Sequence, residues 1–154
     1  MIRVHAPDNR GYIRRVRASA WYDLVVTAGF ATPWTFTLVH DALSSLAVAL
    51  GWSPVPQPDT WQTLYANLMG SVVIVWAALR ILRPVPLHGA YDGAARLLFS
   101  LWMGYAAAQG ASHVVWLFFG VEAVWAVVQL LPWLRGARTE PSREPVPCLR
   151  GRSR

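Results

Sequence analysis

Glu122 is the only ionisable residue between His113 and Arg135, in a stretch that is otherwise almost wholly apolar. On a helix it stands nine residues past His113, roughly 14 Å along the axis. That is near the middle of a hydrocarbon layer about 30 Å thick. A carboxyl at that depth is costly unless it faces protein or water, and it suits a proton relay or an ion site. The plainer reading is a neutral carboxyl bonded to a neighbouring helix, with Asn67, Ser100 and Tyr105 as the polar groups within reach. No arginine is expected at the same depth, so Glu122 should be neutral or take a cationic partner from outside this chain.

A second set of chemically capable residues is expected at the opposite, outer face: His40, Asp41, Gln109 and His113. Two imidazoles and a carboxylate are metal-ligand types, and paired histidines can hold haem. They come from separate helix ends with no short ligand motif, so solvated interfacial histidines are the simpler expectation. His113 and Glu122 are about 900° of helical turn apart and point to opposite faces. A third set is Asp23, Arg80, Arg83, Asp92 and Arg96, with Gln129 one turn deeper. These read as cytoplasmic-interface ion pairs or contacts to lipid headgroups, and Asp92 and Arg96 have the favourable i,i+4 order. The segment Asp92-Gly93-Ala94-Ala95-Arg96 resembles the DGxxAR opening of CDP-alcohol phosphotransferases. It is one residue short, and no aspartate follows Asp92 to complete a metal site. That chemistry is excluded. Cys148 is the single cysteine, which excludes an internal disulfide and a CxxC redox pair.

The elements that must position these groups follow from the basic residues. All 14 are arginine. They fall in three clusters, with none from Ala18 to Leu79 and none from Leu97 to Leu134. Cytoplasmic loops of membrane proteins concentrate Lys and Arg. Two long gaps between three clusters therefore predict an all-α, four-helix integral membrane bundle with both termini in the cytoplasm. At 55% hydrophobic and 14% charged, the chain is too apolar for an ordinary soluble domain. Its net charge of +6 flanks apolar runs instead of forming a stripe, so nucleic acid is not expected as a partner.

The predicted organisation is a basic cytoplasmic segment over 1–19, a membrane domain over 20–134 and a flexible basic tail over 135–154. The spans are 20–41, 61–79, 91–109 and 112–133. Pro33 should kink the first span. Ala42 to Trp52 either continues that span or lies at the interface as an extra helix. Pro54, Pro56 and Pro58 make an extended outer loop, and Gln109 to Ser112 make a tight turn. Trp21, Tyr22, Tyr91 and Trp133 suit the cytoplasmic interface, and Trp52, Trp61 and Tyr65 the outer one. Small residues should let helices approach, most clearly at Ser100, Gly104 and Ala108, and also at Gly70 and Gly120. Tyr22-Asp23 and Tyr91-Asp92 open two outward-running spans, a faint echo of a duplicated two-helix unit.

These features predict a small polytopic protein of a bacterial inner membrane. The partners expected are the lipid bilayer and another membrane subunit or a second copy. With no complete catalytic constellation, a non-catalytic accessory or structural subunit is the first expectation. The second is a proton-coupled transporter or hydrophobic-ligand carrier using Glu122. The third is a metal- or haem-dependent redox enzyme using His40 and His113. The sequence names no cofactor and no substrate.

Overall fold

The computed structural model describes residues 10–138. Residues 1–9 of the expected 1–19 segment and the tail beyond Arg138, Cys148 included, lie outside them; residues 10–19 of that segment form the start of a helix. The described residues form five α-helices and one 3-10 turn: α1 (Arg10–Thr27), the turn (Ala28–Phe30), α2 (Pro33–Ala49), α3 (Thr60–Leu82), α4 (Pro86–Ala108) and α5 (Val114–Arg138). Two stretches are long and apolar enough to cross a membrane, Thr60–Leu82 and Val114–Arg135.

The first predicted span is a pair of helices. Pro33 does not kink a continuous helix; it starts a new one. A residue before proline is pushed out of the helical region, and Thr32 sits at φ −132°, ψ 152°. Its hydroxyl then caps α2 by accepting from the Thr35 amide at 3.2 Å, with Pro33 in the first turn, where its missing N–H costs nothing. The 42–49 stretch continues α2 and does not form a separate helix. α4 starts at Pro86, five residues before the predicted boundary, because Pro86 is also tolerated in a first turn. α5 runs through Pro132 to Arg138.

The C-terminal ends of α2 and α4 stop alike. Gly51 and Gly110 adopt φ 76° and 87°, a conformation easy only for glycine. Around them Trp52 N–H donates to the Ala47 carbonyl and Ala111 N–H to that of Ala106, at 2.9 and 3.0 Å. These are Schellman stops, and they satisfy carbonyls that a helix end leaves open. At the start of α3, Asp59 and Gln62 form a reciprocal capping box, with bonds of 2.9 and 2.7 Å.

α1, the turn, α2 and α3 pack as one half, and α4 packs along α5 as the other. Between the halves α1 touches α4 and α5, while the α3 and α4 backbones keep apart. Glycines set the closest approaches. Gly70 lies under the backbone of Phe30 and Ala31, where the first half breaks its helix, and Gly93 lies under Leu130 and Gln129. Gly104 and Gly120, on the expected small-residue faces, have open or ordinary surroundings. Those faces are not where the backbones meet.

The polarity of the fold is inverted. The largest fully buried side chains are Arg80, Tyr12, Gln129, Val16 and Ser19. The outside carries Trp34 and Leu38 on α2, Val72 and Leu82 on α3, Leu97 and Trp102 on α4, and Val124 and Leu134 on α5. Adding a methyl at Gly70 forces α3 off the Phe30 backbone. Gly70→Ala is expected to destabilise the fold by about 1–3 kcal/mol. Gly120→Ala, into open space, should change it by no more than about 0.5 kcal/mol. Thermal unfolding in detergent measures both.

Candidate functional site: a buried ion network at the end of an apolar cavity

Four of the five helices, α1, α3, α4 and α5, each turn a polar stripe inward. On α1 it includes Tyr12, Ser19 and Asp23, on α3 Trp76 and Arg80, on α4 Asp92 and Arg96, and on α5 Glu122 and Gln129. The spacings of four and seven put each set on one face of its helix. Where the faces meet, two arginines and two aspartates form a closed ring. Arg80 donates through Nη2 to Asp23 Oδ2 and through Nη1 to Ser19 Oγ at 3.1 Å, and its Nη1 pairs ionically with Asp92 Oδ2 at 2.7 Å. Arg96 donates through Nη2 to Asp23 Oδ1 at 2.6 Å and through Nε to Asp92 Oδ2 at 3.0 Å. The Asp92–Arg96 pair expected from i,i+4 spacing is one side of this ring.

Glu122 joins the ring. Its Oε2 accepts from Arg96 Nη1 at 2.7 Å. The expectation that Glu122 has no cationic partner in this chain is therefore wrong. Arg96 was assigned to the cytoplasmic interface, but α4 starts early and carries it ten residues into the helix. Among the described residues, Asn67, Ser100 and Tyr105 make no hydrogen bond to Glu122; Ser100 is buried and Tyr105 is exposed.

Further donors complete the acceptors. Trp76 Nε1 donates to Asp92 Oδ1 at 3.0 Å. Gln129 Nε2 donates to Asp92 Oδ2 at 2.7 Å and to Ser19 Oγ at 2.6 Å. The guanidiniums also stack, Arg80 over Trp76 at 5.4 Å and Arg96 over Trp125 at 5.8 Å from the ring centroids. Arg80 is 0% exposed and Arg96 2%, so neither is free for lipid headgroups, whereas Arg83 is exposed and outside the network. One turn beyond, Trp133 Nε1 donates to Tyr12 Oη at 2.8 Å and Tyr12 Oη donates to the Gln129 carbonyl at 3.0 Å. Burial pushes the Tyr12 phenol above the usual tyrosine range.

Sequence reasoning missed Ser19, Trp76 and Tyr12. The signal was spacing: Ser19 precedes Asp23 by four, Trp76 precedes Arg80 by four, and Gln129 follows Glu122 by seven.

Beside the network lies a cavity of about 670 Å³ between the halves. Asp23, Asp92, Arg96 and Glu122 line it, and its other walls are apolar, with Val26, Phe30, Leu43, Val73 and Phe118 among them. Met69 and Val72 on α3 and Phe99 and Trp102 on α4 both line the cavity and are exposed. They mark its mouth, where α3 and α4 stand apart. A second groove, of about 700 Å³, runs between α1 and α5 with Arg15 and Arg135 on its edge.

The two histidines expected at the outer face, His40 and His113, are placed apart from the network. His40 is buried, with Nε2 3.0 Å from the Pro56 carbonyl and Nδ1 3.3 Å from Asp41 Oδ1. It pins the proline loop onto α2, helped by Val55 N–H donating to Ser44 Oγ. His113 is exposed and stacks on Trp52, and Gln109 is exposed. Among the described residues no three His, Cys, Asp or Glu side chains are grouped to hold a metal ion. The chain matches no protein-family model, no curated protein and no solved structure.

Removing one partner of a buried ion pair strands the other. Arg80→Met is expected to cost about 3–5 kcal/mol. Combining it with Asp23→Asn should recover part of that loss, with a coupling of about 0.5–3 kcal/mol. Unfolding of the two single variants and the double variant measures the cycle.

Proposed function

We propose that this chain is a multi-pass inner-membrane protein that binds an apolar or amphipathic ligand in the cavity between its halves and couples binding to a proton on Glu122. The observation that carries the reading is the cavity itself: apolar walls, a mouth between two helices, and a carboxyl at its polar end. Ligand sites are concave, mostly apolar and equipped with a few convergent polar groups. A purely structural accessory subunit has no use for such a space, which is why the carrier reading is preferred to that role.

Four passes with both termini in the cytoplasm remain the proposed topology, with the first pass broken at Thr32–Pro33. The inverted polarity supports it. In water, contiguous exposed apolar surface on every helix is a liability. In lipid it is the expected exterior, and ionisable groups face the bundle interior. α4 carries the inward charges Asp92 and Arg96, and α1 carries the inward Asp23 together with the exposed Arg10, Arg14, Arg15 and Arg17 of its first half. Headgroup contacts then fall to the exposed Arg15, Arg83 and Arg135.

Two measurements test the reading. In intact cells a membrane-impermeant maleimide should leave Cys148 unmodified and modify a cysteine placed at Asp59; the reverse pattern rejects the topology. In proteoliposomes the neutral lipophilic dye N-phenyl-1-naphthylamine should bind saturably, and Ala106→Phe, which fills the cavity from α4, should weaken it at least about tenfold. Equal binding by this variant would remove the cavity from the function.

A further inference from the structure

Resting on the cavity reading, we infer that the ligand is an amphipathic monocation, which exchanges against a proton on Glu122. Charge sets the sign. The network holds three carboxylates, Asp23, Asp92 and Glu122, and two guanidiniums, Arg80 and Arg96. Fully ionised it carries one net negative charge, and an uncompensated buried charge is among the costliest features a protein can hold. One positive charge completes the site, either a proton or a ligand cation.

The donors argue in the same direction. Arg96 sends Nε, Nη1 and Nη2 to three different carboxylates. Arg80 does not line the cavity, and Trp76 Nε1 is taken by Asp92. An anionic ligand would have to break one of these bonds to be held. A cation meets Glu122, whose Oε2 alone is bonded to Arg96. Phe30, Trp76, Phe99, Trp102 and Phe118 line the same cavity, and aromatic faces attract cations, more strongly when desolvated. The groups that face Glu122 are Asp23 and Tyr22 from α1 and Asp92 and Arg96 from α4. Arg80 of α3 reaches it only through the aspartates. Among the described residues Arg96 is thus the one cation bonded to Glu122, and it is shared with two other carboxylates.

The exchange balances simply. The carboxyl O–H of Glu122 gives its proton to solvent, and the cation takes its place beside the carboxylate. One proton is released per cation bound, and apparent affinity falls about tenfold per pH unit wherever Glu122 is protonated.

The test uses two probes of the same shape and opposite charge, tetraphenylphosphonium and tetraphenylborate, titrated into the full chain in nanodiscs. Tryptophan quenching reads affinity, and calorimetry in two buffers of different ionisation heat reads proton release. Tetraphenylphosphonium is expected to bind at least about tenfold tighter, releasing about one proton. Glu122→Gln should abolish both the preference and the release, and Ala106→Phe should abolish binding with the ion network intact. Thermal unfolding confirms that each variant is folded. If Glu122→Gln does not fold, the charge preference and proton release of the unaltered chain decide. Binding of both probes with equal affinity, or a preference for the borate, overturns the cationic assignment and leaves the cavity reading standing. Binding of neither probe, nor of the neutral dye, overturns both.

Discussion

The exchange of ion pairs between the two halves is the constraint on which the structure depends. Arg80 of the first half bonds Asp92 of the second, and Arg96 of the second bonds Asp23 of the first. The α3 and α4 backbones keep apart, so long side chains reach across between them: these ion pairs, and Trp76 of α3 against Asp92 and His88 of α4. A charge left alone in such an interior is far more costly than a paired one. The halves therefore fit in the arrangement that gives each guanidinium its carboxylates. Gln129, Ser19 and Trp76 then occupy much of the acceptor capacity that two arginines leave over.

The same constraint accounts for the cavity. The ring ties the halves at one level, and the Tyr12–Trp133 contact closes them one turn beyond. On the other side of the ring, Gly70 draws α3 toward the broken first helix while α4 follows α5. α3 and α4 part there, and the space between them keeps the ring's acidic edge, Glu122, as its polar end. The faint echo of Tyr22-Asp23 and Tyr91-Asp92 has a physical counterpart. Each half contributes one of these aspartates, and both bond the same two arginines.

The end of the fold that holds His40 and His113 is built for a different task. The imidazole of His40 holds the Pro56 carbonyl, and that of His113 lies on Trp52. Both rings anchor loop and helix ends. The two Schellman stops and the Asp59–Gln62 capping box act likewise, satisfying backbone groups at the ends of helices. None of these contacts reaches the ion network, so the fixed proline loop and the charged interior are physically separate features.

The sequence by itself determined the helices and the identity of the polar residues. Apolar stretch length, proline and glycine positions and capping residues act over a few neighbouring residues, and they were legible as an all-helical chain with breaks at the proline loop and near Gly110; at Pro33 the same signal read as a kink, where the structure starts a new helix. Asp92 with Arg96 was legible too, because both lie on one helix. Only the tertiary structure decided that Arg80 and Arg96 face inward, that Glu122 has a cation beside it, and that Asp23 and Asp92 share their partners. An arginine at the edge of an apolar run has the same local pattern whether it reaches toward water or folds back into a bundle. The choice depends on carboxylates 57 and 73 positions away, and those come within reach only once the halves are packed.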